Sequence, residues 1–158
     1  MFCSCEILVF WVSSVFCWFN ASQLITKTYY DKTIGQQQIG AQAVLNARLI
    51  LGGKMIYSVI TAEEMERFAV RPEDLDGIVA QLRDTTGVEC AVLLYERGLN
   101  EWKVSMRSRT FLDVRSVAQT LGGGGHQRAA GVTLKSDDPG KIIDQITSLV
   151  KQQLTAED

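Results

Sequence analysis

Leu121-Gly122-Gly123-Gly124-Gly125-His126-Gln127-Arg128-Ala129-Ala130-Gly131 sets four consecutive glycines directly before the only histidine of the 158-residue chain. Inside a regular element each glycine costs roughly 0.5–1 kcal/mol relative to alanine, so four in a row are not a device for stability. Such a run does let a backbone approach a ligand closely and turn its N–H groups toward an anion. Gly122 to His126 therefore reads as a phosphate-gripping loop. Gly123, Gly124, Gly125 and His126 are its candidate residues, with Arg128 as a secondary candidate because it lies past the histidine.

Working outward, the next informative segment is Glu101-Trp-Lys-Val-Ser-Met-Arg-Ser-Arg109. It alternates with a period of two, so Trp102, Val104 and Met106 share one face of a strand and Lys103, Ser105, Arg107 and Arg109 share the other. A strand facing solvent more often mixes charge signs; three cations and a hydroxyl on one face make a wall suited to an anion. Between Lys103 and Arg128 the chain holds five basic residues against one acid, Asp113, although the net charge of the whole is −2. A local patch governs anion binding more than the total does.

The remaining pattern alternates strands and helices. From Ser22 to Leu51, Ala41, Val44, Leu45, Arg48 and Leu49 follow helical spacing and predict a buried stripe that ends at Gly52-Gly53. Lys54 to Ile60 predicts a strand, and Thr61 with Glu64 predicts a capping box for a helix through Phe68. Pro72 opens a helix whose stripe is Leu75, Ile78, Val79 and Leu82, with Gly87 as its stop. Val88 to Tyr95 is apolar at nearly every position and predicts a central strand. Asp113 predicts an N-cap for a helix carrying Val114, Val117, Ala118 and Leu121. His126 to Ala130 reads as one helical turn, Val132 to Leu134 as a brief strand, and Pro139 as the opening of a last helix burying Ile142, Ile143, Ile146, Leu149 and Val150. The class is α/β (α+β), a mixed sheet flanked by helices.

Length and 46% hydrophobic content suit one domain with a real core. The expected organisation is an apolar segment at 1–21, a linker and helical segment at 22–53, the globular domain at 54–154 and a tail at 155–158. The first twenty residues hold two of the three tryptophans, four of the six phenylalanines and no Lys or Arg. Their apolar run, Ile7 to Phe19, is shorter than the roughly 20 residues that span a bilayer. A secretory leader begins with positive charge, where this chain has Glu6. Three of the four cysteines, Cys3, Cys5 and Cys17, lie there too; Cys90 lies in an apolar strand, and no CxxC pair occurs. This usage points to a reducing, cytoplasmic compartment.

Taken together, Ser105-Met-Arg-Ser-Arg109, Asp113-Val, Gly122-Gly-Gly-Gly-His126 and Ala129-Ala-Gly131 closely resemble the DHH-associated domain of the DHH phosphoesterase superfamily. The likeness is nearest to the bacterial bifunctional oligoribonuclease and pAp phosphatase (nanoRNase) family. Ile56 to Thr61, Pro72 to Gly77 and Gly87 to Val92 also look like that family's segments, so the resemblance covers about residues 24–152. It implies a lobe that grips a terminal nucleotide. Arg107 and Arg109 would hold phosphate, His126 would donate to the scissile phosphate, and Gly123 to Gly125 would bring backbone close to the nucleotide. The family's other lobe carries the DHH motif and binds two divalent metals, usually Mn2+, which activate water and stabilise both oxygens of an in-line displacement.

No Asp-His-His occurs in this sequence. The expectation is therefore a substrate-binding lobe separated from its catalytic lobe, with no cofactor of its own and Mn2+ only in the DHH lobe. Its expected partners are short RNA or nucleotide phosphates, with a separate DHH lobe and a second copy of the chain as further candidates. Two alternatives stay open: half of an active hydrolase completed in trans, and an inert or membrane-tethered scaffold.

Overall fold

The strand from Glu101 is the axis of the domain. In the computed structural model, which describes residues 32–155, it is β4 (Glu101–Ser108), and it alternates between buried and half-buried along its length. The apolar segment 1–21, the first part of the helix expected from Ser22, and residues 156–158 lie outside the described residues.

Six strands form one mixed sheet in the order β1-β2-β3-β4-β6-β5. β1 (Arg48–Ile50) pairs antiparallel with β2 (Met55–Ile60), which pairs parallel with β3 (Cys90–Gly98). β3 and β4 form a hairpin around Asn100, and β6 (Ala129–Lys135) and β5 (Gly124–His126) follow antiparallel on the far side of β4. β3 is central, as its continuous apolar run predicts.

Each face has its own core. On one, Val92, Leu94, Trp102, Val104, Met106, Ala130 and Val132 pack against α4 (Val114–Thr120) and α5 (Pro139–Leu154). Asp113 caps α4 by accepting from the Arg115 and Ser116 amides, and α5 buries Ile142, Ile143, Ile146 and Val150. On the other, Ile56, Ile60, Ala91 and Leu93 pack against α1 (Ile34–Asn46), α2 (Ala62–Arg67) and α3 (Ile78–Arg83). This second core takes its strand residues from β2 and β3 only. Beyond β3 the same face carries Lys103, Ser105 and Arg107, none of them fully buried.

Three local expectations are corrected. The stripe Ala41, Val44, Leu45, Arg48 and Leu49 is exposed; α1 buries Gly35, Ile39, Gly40 and Ala43 instead and ends at Asn46. Small residues win because the helix lies tight on its support: a side chain at Gly35 would strike the Phe68 carbonyl, and Ser58 Oγ donates to the Ala43 carbonyl at 2.7 Å. Arg48 and Leu49 are strand residues, registered against Tyr57 and Ile56. The helix opened by Pro72 is broken at Gly77, φ +93°, into a 3₁₀ turn (Pro72–Leu75) and α3, though all four stripe residues are buried. His126 to Ala130 is not a helical turn but the tip of the β5–β6 hairpin, in which His126 pairs with Ala129. Period alone cannot separate these outcomes over five residues.

A buried carboxylate fixes the bend between β4 and α4. Glu89, 5% exposed, accepts from the Thr110, Phe111 and Leu112 amides and from Thr110 Oγ1 at 2.6 Å. Its own carbonyl accepts from the Arg109 amide. Burial pushes the carboxyl up, but the Thr110 hydroxyl and the three amides outweigh it and hold the group below its ordinary value.

Two predictions follow from this packing. A methyl at Gly123 would strike the Gly131 carbonyl and lie 2.5 Å from Val132 Cβ, whereas nothing approaches one at Gly124 within 4 Å. Gly123→Ala should cost about 1–3 kcal/mol in urea denaturation, as overpacking does, and Gly124→Ala should leave stability unchanged or slightly raised. Glu89 titrates lower folded than unfolded, so its contribution is complete above the unfolded value and disappears as pH falls through the folded one. Glu89→Gln should cost about 2–3 kcal/mol at neutral pH and flatten the acid limb of a stability-against-pH curve; an unchanged acid limb would refute the assignment.

Candidate phosphate-binding site

The register brings the two sequence features onto one surface. Arg107 lies opposite Ala129, which lies opposite His126; Ser105 lies opposite Gly131, which lies opposite Gly124; Lys103 lies opposite Thr133. Directly opposed residues of an antiparallel pair project to the same face. Lys103, Ser105, Arg107, Gly124 and His126 therefore share the face of the second core, beyond its own strand residues. Arg107 and His126 stand two strand spacings apart, about 10 Å, across a floor of Ala129, Gly131 and Gly124. The result is a shallow basic trough with almost no side chain at its centre.

The glycines divide by role. Gly125 is registered with Ala130 on the helix-covered face, and with φ +141° a Cβ there would meet the Ala129 carbonyl at 2.6 Å. Gly123 is likewise required by contact with β6. Gly124 is different: it lies on the open face with no steric demand from its own fold. Sequence spacing cannot make this distinction, because it depends on which glycine faces β6.

Electrostatics set the trough apart. Arg71, Arg83 and Arg115 are each within 4 Å of a carboxylate, while among the described residues no ion pair engages Lys103, Arg107 or Arg109. Arg107 donates to the Met106 carbonyl at 3.0 Å. Arg109 stands one residue past β4, exposed, with its amide tied to Glu89. Arg128 has a structural attachment: its guanidinium donates to the Leu112 carbonyl at 2.8 Å. Together with the Ser108 amide on the Arg128 carbonyl and the Val114 amide on the Gln127 carbonyl, it binds the hairpin tip to the 108–114 bend. Glu89 thereby supports both ends of the trough. A lone acid inside the apolar run Val88 to Val92 was the available signal for it.

Among the described residues the trough is a wall and not a closed cavity. Two clefts, of about 350 and 450 Å³, lie elsewhere, one beside Thr61 and Arg67 and one between α4 and α5. No three His, Cys, Asp or Glu side chains among the described residues come together as metal ligands. Asp74 is occupied in structure, accepting from the Arg71 amide and from Gln36, and these contacts hold it below its ordinary value. The described residues do not fit a dinuclear metal centre. No described helix is long and apolar enough to cross a membrane.

Known proteins share this fold and part of this sequence. The bifunctional oligoribonuclease and PAP phosphatase NrnA of Thermus thermophilus is 39% identical over 83 residues, covering 52% of this chain and 25% of that protein. An exopolyphosphatase-related protein of Bacteroides fragilis superposes with a TM-score of 0.80 at 19% identity, over 96% of this chain and 46% of its own. A pGpG-specific phosphodiesterase of Vibrio cholerae superposes at 0.56 with 11% identity, over 75% and 39%. The chain thus spans a quarter of the length of the curated relative and under half of each solved structure. The DHHA1 domain family matches residues 52–155, well over half the chain, and the chain belongs to that family.

Proposed function

We propose that this domain is the nucleotide-gripping lobe of a DHH-type phosphoesterase, holding the phosphate of short oligoribonucleotides or pAp-like nucleotides, and that the metal-dependent cleavage belongs to a DHH lobe outside these residues. The observation that carries the reading is the trough itself, with unpaired Lys103 and Arg107 facing His126 over the open backbone of Gly124. Arg107 offers a planar fork matched to phosphate oxygens, Lys103 a point charge, and the imidazole of His126 one further donor. An open wall leaves a ligand half in water, where such contacts are weakest; a second lobe closing over it would exclude solvent and strengthen them. The relatives support the substrate class, since one is named for oligoribonucleotides and PAP and another for pGpG.

The direct test is titration of the chain with a 5′-phosphorylated diribonucleotide. Losing one charge-assisted hydrogen bond costs about 1.5–3 kcal/mol, so Arg107→Ala, Arg109→Ala and His126→Ala should each weaken binding by about 10- to 100-fold. Raising salt from 50 to 200 mM should weaken it by about tenfold if three phosphate contacts are made. Gly124→Ala should lower affinity while leaving the urea midpoint in place. No binding at low salt would refute the proposal. With Mn2+, the chain alone should release no mononucleotide, and addition of a DHH lobe should start release; a mixture no more active than that lobe alone would refute complementation.

A further inference from the structure

We infer that Phe111 is a stacking platform for the nucleobase attached to the bound phosphate, so that the site selects nucleotides over sugar phosphates; this rests on the phosphate reading above. Phe111 is 38% exposed and belongs to neither apolar cluster of the described residues. Its backbone is nonetheless held in place, because its amide and those of both neighbours donate to the buried Glu89 carboxylate.

The bend that carries it also lies against the trough. Ser108 bonds the Arg128 carbonyl, and the Arg128 guanidinium bonds Leu112, so Phe111 sits within a segment clamped at both ends to the residue two positions past His126. Exposed Arg109 precedes it by two residues. A rigid aromatic ring beside a basic groove is the arrangement by which proteins hold single-stranded nucleotides, since every base offers a π-face.

The test compares adenosine 5′-monophosphate with ribose 5-phosphate, which lacks the base, on the full chain. Phe111→Ala should weaken the nucleotide by about tenfold, as loss of one base–aromatic stack does, and leave ribose 5-phosphate unchanged. Phe111→Trp should retain nucleotide affinity, and its added indole fluorescence should be quenched by the nucleotide but not by the sugar phosphate. Should the alanine variant lose its fold, the tryptophan variant decides alone. Equal weakening of both ligands, or of neither, would overturn the stacking role while the phosphate site stands. If the native chain binds neither ligand at low salt, the phosphate reading fails and this inference with it.

Discussion

The carboxylate of Glu89 is the constraint on which the rest of the site depends. An ionised carboxylate taken from water at the head of a central strand is costly unless its lone pairs are filled. Here three successive amides and a hydroxyl fill them. Satisfying that group forces the chain leaving β4 to fold over it. The fold-over places Arg109 at one end, presents the Leu112 carbonyl to Arg128 and starts α4 in register with its Asp113 cap. The separation of the arginine strand and the histidine strand is set by β6 between them, and the Arg128 contact ties the hairpin tip to the bend that Glu89 holds.

Much of this was legible in the sequence, for identifiable reasons. β4 declares itself because its two faces meet different environments, so a period of two survives in composition. α4 and α5 declare themselves through caps and stripes, and of the residues that carry the likeness to the DHH-associated domain the register gathers Ser105, Arg107, Gly124, His126, Ala129 and Gly131 on one face. α1 did not declare itself: it packs through Ile39 and the small residues Gly35, Gly40 and Ala43, while Ile34, Val44 and Leu45 face outward. The glycine run was legible as unusual but not as a strand, since β5 derives its stability from fitting against β6 and not from any propensity of its own. The division of labour among its glycines is a tertiary fact, set by which of them touches Gly131, Val132 or Ala129.

Membership of the DHHA1 family and the open geometry of the trough bear on each other. The family match runs from residue 52 to residue 155 and so takes in β4, β5 and β6, the strands that carry the basic face. The helices support this economy of roles. α4 and α5 stabilise the sheet from behind, and α1 to α3 cover its other face over β2 and β3, with α3 reaching β4.

The alternation of β4 has an evolutionary consequence. Its even-numbered residues Trp102, Val104 and Met106 are committed to the core, while odd-numbered Lys103, Ser105 and Arg107 contribute little to it. Replacements in the odd series can thus change charge, reach or hydrogen-bonding pattern at almost constant folding stability, a separation that most binding surfaces lack. The two series occupy one strand, so the backbone that presents each new variant of the wall stays where the core has put it. A lineage carrying this domain can vary that face by single substitutions, without passing through unfolded intermediates on the way.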